Sequence, residues 1–189
     1  MLSLQPHHIT DLFVLVDDIV VVEQKPLGGR PVLLSTSEVI TILLWNTLMV
    51  RQKTLKDIHR WFTIYHAKDF PGLHKYNTFV RRCHQALPCL IIVLEQLLVY
   101  DAPIRFMDST MVPVCKRVRA DSHKVAKIIA KWGKNHQGWH YGFKLHASID
   151  TQGRLCRVAF TDASQHDAQQ IPKLVNKYTK VAVGDGGYT

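Results

Sequence analysis

Residues 104–114 read IRFMDSTMVPV, and residues 180–185 read KVAVGD. The first stretch has the composition and length of a strand. The second is a short continuous apolar run closed by Gly184 and Asp185, which is the pattern of a buried parallel strand. Two further strands are expected between them, over Trp139–Ile149 and Arg154–Phe160. Asp150-Thr151-Gln152-Gly153 supplies turn chemistry, so these two should form a hairpin. Ser164 and Asp167 fit a capping box, and Ile171, Leu174 and Val175 then line a helix over about Asp167–Tyr178. Strand, hairpin, helix and buried strand in that order predict a mixed sheet with flanking helices, an α/β arrangement.

Upstream of this region the period is helical. Ser35 and Glu38 form a second candidate capping box, followed by Val39, Ile42, Leu43, Trp45 and Met49 at helical spacing. Another helix is expected from Thr54, with Leu55, Ile58, Phe62 and Tyr65 on one face, up to the break at Phe70-Pro71-Gly72. Asn77 is placed to cap a third helix, and Pro88 to open a fourth as its first-turn residue. A further helix is expected over Thr10–Val22. The reading is a helical N-terminal region, residues 1–100, open to a DNA-reading, dimerising or scaffolding role, and a second domain at residues 101–189.

The chain has 189 residues, 47% of them hydrophobic, enough for a packed core. It carries 24 basic and 15 acidic side chains, a formal charge of +9. The excess is concentrated. Residues 1–100 hold 10 basic and 8 acidic groups, residues 101–189 hold 14 and 7. Within Cys115–His146 stand Lys116, Arg117, Arg119, Lys124, Lys127, Lys131, Lys134 and Lys144 against the single acid Asp121. An acidic partner, nucleic acid first, follows from such a segment. Lys124, Lys127, Lys131 and Lys134 fall on one face if the segment is helical, as Val125, Ile128 and Ile129 suggest. Trp132, Trp139 and Tyr141 are open to stacking on bases or to core packing.

The longest charge-free apolar run in the N-terminal half, Val39–Val50, is too short to span a bilayer, and no basic region of a signal peptide precedes the first apolar stretch. Cys83, Cys89, Cys115 and Cys156 have no zinc-knuckle or redox spacing, which points to reduced thiols and the cytosol. A Cys83/His84 metal site is disfavoured because adjacent residues seldom converge on one ion. Two acids carry the chemical interest. Asp108 lies inside a predicted strand and Asp185 closes another. Carboxylates in apolar strands need a compensating partner, and two together repel. A divalent metal resolves both problems, since Mg²⁺ binds through one or two carboxylates together with water and phosphate oxygens.

Three blocks carry a family resemblance. Met107-Asp108-Ser109-Thr110-Met111-Val112-Pro113-Val114-Cys115-Lys116 resembles the first catalytic block of bacterial DDE-type insertion-sequence transposases. Gly138-Trp139-His140-Tyr141-Gly142-Phe143-Lys144-Leu145-His146 is similar to a hairpin strand of that family, and Gly184-Asp185-Gly186-Gly187-Tyr188 resembles its second catalytic block. The nearest likeness is to the transposases of 982-type insertion sequences, from about Ser35 to the last residue. Gly186 departs from the pattern, where the family more often has a basic residue.

The resemblance implies an RNase H-like catalytic domain, incomplete here, whose first and fourth strands are neighbours. Asp108 and Asp185 would then be catalytic residues and ligands of Mg²⁺ or Mn²⁺. The eight cations from Lys116 to Lys144 would bind DNA. The family's third ligand is a Glu on a later helix, which the chain does not reach before Thr189. The expectation is a C-terminally truncated copy, inactive alone, with no substitute among Asp150, Asp162 and Asp167. Such a truncation would leave the Asp185 strand exposed and the product poorly soluble unless it oligomerises. The implied activity is metal-dependent cleavage and strand transfer of transposon ends into target DNA. Implied too are a homo-oligomer on DNA, no membrane, and a bacterial cytoplasmic, nucleoid-associated location. The alternative is a non-catalytic DNA-binding remnant that occupies transposon ends or represses the intact enzyme. An unrelated nucleic-acid-binding fold would instead leave the two aspartates far apart.

Overall fold

A computed structural model describes residues 8–23 and 33–188. The chain divides into two compact units, with the boundary between Gln96 and Leu97.

The first unit is helical. Helix α1 spans Ile9–Glu23 and buries Leu12, Val16 and Val20, one residue per turn. Helix α2, Thr36–Trp45, starts with the expected reciprocal cap. The Ser35 hydroxyl accepts from Glu38 N, and the Glu38 carboxylate accepts from Ser35 N. A π-helical turn, Asn46–Val50, follows, and the Asn46 side chain brackets Gln52 through both its amide and its carbonyl. Helix α3, Leu55–Tyr65, is capped by Thr54 and buries Ile58 and Phe62.

The third and fourth expected helices are one. Helix α4 runs unbroken through Pro88 from Tyr76 to Gln96. Proline removes one backbone donor and normally breaks a helix. Here Phe79, Cys83 and Ala86 before it, and Val93 after it, are all buried and hold both halves in one element. Cys83 is buried, and that burial pushes its thiol up to about 11; neighbouring His84 is exposed.

The second unit is a mixed five-stranded sheet with short helices, so the chain as a whole is α/β. Strand β1 is Ile104–Pro113, β2 is Lys131–Asn135, β3 is Gly138–Ile149, β4 is Leu155–Asp162 and β5 is Val181–Gly184. β3 pairs antiparallel with β1 along one edge, Asp108 opposite Ala147 and Ser109 opposite His146. Along its other edge it pairs first with β2, Lys134 opposite Trp139, and then with β4, Leu145 opposite Phe160. The β3–β4 hairpin turns on Asp150, whose carboxylate accepts from Gln152 N, Arg154 N and the Arg154 guanidinium. β5 lies parallel to β1 on its outer side, with Phe106 opposite Val183 and Met107 opposite Gly184.

Four expectations for this unit need correction. The basic helix over residues 124–134 does not form. A 3-10 turn at Arg117–Arg119 and a run of turns lead instead into β2. The Lys/Ala/Ile composition suits a helix, but Gly133 lies so close to Ala163 that a Cβ would sit 2.0 Å from its carbonyl oxygen. The glycine permits that approach, and pairing with β3 decides the element. The helix expected over Asp167–Tyr178 shrinks to a 3-10 turn, Asp167–Gln170, and a four-residue helix α5, Ile171–Leu174. Asn176 ends it by accepting from Tyr178 N in an Asx turn. The Ser164–Asp167 capping box is absent, because Ser164 donates to Asp162 instead. Strand β5 is parallel as expected, but all four of its residues are exposed rather than buried.

Candidate active site

Side-chain alternation divides β1 between the two sheet faces. Arg105, Met107 and Ser109 point to the face covered by α5 and the turns beside it. Ile104, Phe106 and Asp108 point to the other face and are exposed. Met107 opposite Gly184 is the last pair of the β1–β5 ladder, so the next residues, Asp108 and Asp185, follow side by side where the two parallel strands part. Asp108 Oδ1 accepts from Ser109 N at 2.7 Å. Asp185 Oδ1 accepts from Gly187 N at 3.0 Å, inside the 3-10 turn Gly186–Tyr188. Neither carboxylate enters an ion pair with a side chain of the described residues. Two exposed, uncompensated carboxylates, one in the middle of β1 and one just past the end of β5, fit a hard cation that takes its remaining ligands from water or phosphate. Among the described residues no group of three or more His, Cys, Asp or Glu is arranged to hold a metal.

A third acid lies beside them. Asp167, expected to cap a helix, stands at the centre of a polar cluster. Its Oδ1 accepts from Lys144 Nζ at 2.8 Å, and its Oδ2 accepts from the Ser109 hydroxyl at 3.1 Å. A Cβ on Gly187 would lie 2.8 Å from Asp167 Oδ2 and 3.1 Å from Asp185 Oδ1. The absent side chain is thus what lets the Asp185 turn close over Asp167. One carboxylate thereby touches the segment after Asp108 and the segment after Asp185. Tyr188 completes the turn and packs with Met107, Ala159 and Leu174. Burial first, then the charge of Asp167 with Asp108 and Asp185 behind it, pushes its phenol up to about 12.

His146, opposite Ser109 in the ladder, is wholly buried. Its Nε2 meets the Thr161 hydroxyl at 3.0 Å, and its Nδ1 faces Asp167 Oδ1 at 3.5 Å. Burial lowers its pKa; Asp167 opposes that shift, and Lys144 and Lys173 add to it. Asp150 and Asp162 stand at the ends of β3 and β4 and are tied to the turns that follow them. Burial would raise Asp150, but the Arg154 amide and guanidinium and the Gln152 amide outweigh it and hold the carboxyl low. Asp162 is held low by the Ser164 hydroxyl, against its burial, with the Ser164 amide, Gln165 and Lys131 contributing.

The basic residues separate into two kinds. Lys116, Arg117, Arg119, Lys124 and Lys127 are exposed on the loop between β1 and β2. Lys131 and Lys134 are exposed on β2, three residues apart and therefore on opposite faces of that strand. Lys131 approaches Asp162 at 3.7 Å, and Lys134 lies over the Trp139 ring. Lys144 is different. It is buried, and its ammonium is engaged by Asp167 and the Gln165 carbonyl. Tyr141 is buried in the small core of the loop with Ala120, Ala126 and Ala130, and Trp132 packs against it.

The Asp167 cluster was not legible as a site. His166-Asp167 follows a strand by a few residues, the usual context of a helix cap. Only the tertiary fold brings it to Ser109 and Lys144, 58 and 23 residues away in the chain.

Residues 100–189 match the family model described as a transposase DDE domain. No curated protein and no solved structure matches the chain.

Proposed function

We propose that this protein is a DNA transposase of the 982-type insertion-sequence group, with phosphoryl transfer on DNA carried by residues 100–189. The observation that carries the proposal is the parallel register of β1 and β5, which makes Asp108 and Asp185 neighbours in a segment matching a transposase DDE domain. Asp108 and Asp185 are the proposed ligands of Mg²⁺ or Mn²⁺. A divalent ion bound there would supply Lewis-acid stabilisation of the charge on the transferring phosphoryl group. The protein's own part is positional. The β1–β5 ladder fixes the spacing of the two carboxylates, and the Ser109 and Gly187 amides hold one oxygen of each. Asp167 ties both segments together.

The exposed cations Lys116, Arg117, Arg119, Lys124, Lys127, Lys131 and Lys134 hold the phosphate backbone of transposon ends and target. They confer affinity that falls with salt and carry no sequence readout. Lys144 supports this surface from inside, by neutralising Asp167. Oligomerisation on DNA is part of the proposal. A second reading, DNA binding without cleavage, is favoured by the absence of a three-ligand cluster among the described residues.

Nicking of supercoiled plasmid by the purified chain, with Mg²⁺ or Mn²⁺ against EDTA, tests the two readings. Gel-shift binding is run in parallel, with Asp108→Asn as control. Metal-dependent nicking that falls at least about 100-fold in Asp108→Asn supports the catalytic reading, the scale expected when a transition-state electrostatic partner is lost. Binding without nicking supports the second reading. Nicking that survives Asp108→Asn refutes the metal assignment.

A further inference from the structure

Helix α4 carries two rows of side chains at related spacing. Phe79, Cys83, Ala86 and Val93 are buried, and the helix packs against α1, α2 and α3. One position further along, Val80, His84, Leu87, Ile91 and Leu94 repeat at alternating intervals of four and three residues. Leu87 is 51% exposed, Ile91 56% and Leu94 42%; His84 is exposed and Val80 half-buried. Successive residues of a helix stand about 100° apart, so the second row runs beside the first and out of the core. Single exposed leucines need no explanation. A row that keeps a 3.5-residue period over two heptads has the spacing at which one helix meets another along its length.

The charges on α4 indicate which helix that is. Its charged residues are Arg81, Arg82 and Glu95. Arg82 is held within the unit, donating to the Leu34 carbonyl and the Thr36 hydroxyl. Arg81 and Glu95 are exposed and enter no ion pair among the described residues. Each directly follows a member of the row, Val80 or Leu94, so both flank it on the same side. They stand about 21 Å apart along the axis, too far to meet within one helix. Leu87 lies midway between them. A second α4 turned end for end about Leu87 would bring Arg81 beside the second copy's Glu95, and Glu95 beside its Arg81. The same operation sets Val80 against Leu94 and Leu87 against itself. Pro88 stands beside the row and not in it. The surface is therefore complementary to itself under a two-fold rotation, the condition for a closed dimer.

We propose that this row is a dimer interface, with α4 packed antiparallel on α4 of a second copy of the chain about a two-fold axis at Leu87, oriented by two Arg81–Glu95 pairs. The inference goes beyond the reading above. It gives oligomerisation a surface, and it needs no DNA, so it stands or falls separately from nicking and DNA binding.

The test is sedimentation equilibrium of the full chain without DNA, at roughly 1–100 µM, a range suited to a small interface. A monomer–dimer equilibrium is expected. Leu87→Glu places two like charges on the axis and should weaken the dimer at least about 30-fold. Arg81→Glu and Glu95→Arg each set like charges together and should weaken it about fivefold, whereas the double variant R81E/E95R should restore it. The charge variants alter exposed side chains only, so they keep the test open if Leu87→Glu misfolds. A monomer at every concentration overturns the proposal. So does a dimer unchanged by Leu87→Glu, which places the contact on another surface. A double variant no tighter than either single one overturns the antiparallel pairing.

Discussion

The two faces of the sheet in the second unit are built from the same strands and have opposite characters. On one, Arg105, Met107, Ser109, Lys144 and His146 lie under α5 and the Asp185 turn. There, every residue in the Asp167 cluster reaches another element. On the other, Phe106, Val158, Phe160, Val181 and Val183 are each more than two-fifths exposed, and Asp108 stands among them. One face holds the buried contacts of the unit, and the other presents Asp108 on bare apolar surface. An exposed apolar expanse of this kind on a folded domain marks an interaction surface. Among the described residues nothing pairs with the outer edge of strand β5, the kind of edge that can take up another strand. Alternation along β1 is what separates the roles, since neighbouring residues share no environment.

The contrast is sharpest at Arg105. Its side chain is wholly buried and meets no carboxylate of the described residues; it donates to the carbonyls of Tyr100, Ala102 and Leu174. Arg105→Ala should cost about 3 kcal/mol in urea unfolding, because it leaves a cavity and strips the Ala102 carbonyl of its donor, while the carbonyls of Tyr100 and Leu174 keep only Asn176 and Ser148. A loss under about 1 kcal/mol would mean that these carbonyls find water and that the covered face is looser than described. Adjacent residues on β1 come next. Met107→Ala should cost about 2–3 kcal/mol as a buried truncation. Phe106→Ser, one position away, should stay within about 0.5 kcal/mol in the same assay. Equal costs at the two positions would break the division into faces.

The smallest effect is a pH dependence. Burial lowers the pKa of His146, which faces Asp167, Lys144 and Lys173, so the folded chain keeps it neutral below the point where the unfolded chain protonates it, near 6.5. The unfolded state then binds more protons, and stability falls as pH drops below about 6.5. A His146→Gln variant should lose that part of the slope in thermal melts between pH 7 and 5. An unchanged slope would assign it to other histidines.

Much of this arrangement was readable in the chain. The Ser35–Glu38 cap, the hairpin turn at Asp150 and the strands around Asp108 and Asp185 depend on neighbours within a few residues, and those signals are local. The misreadings have one cause. Lys131–Asn135 follows a helix-like Lys/Ala/Ile run, yet it pairs with β3. Pro88 reads as a helix start, yet the helix continues through it on buried contacts. Asp167 reads as a cap, yet it answers to Ser109, Lys144 and Gly187. In each case a long-range contact outweighed a local preference worth about 1–3 kcal/mol.

The sequence by itself determined the alternation of β1, the concentration of cations between residues 115 and 146 and the two acids at strand positions, because periodicity, charge and turn chemistry are written in neighbouring residues. Only the tertiary structure decided that Asp108 and Asp185 adjoin, that Lys144 faces inward and that Asp167 joins the two acidic segments. Those outcomes depend on strand register and on a glycine that allows close approach, and both are set by pairing between distant parts of the chain.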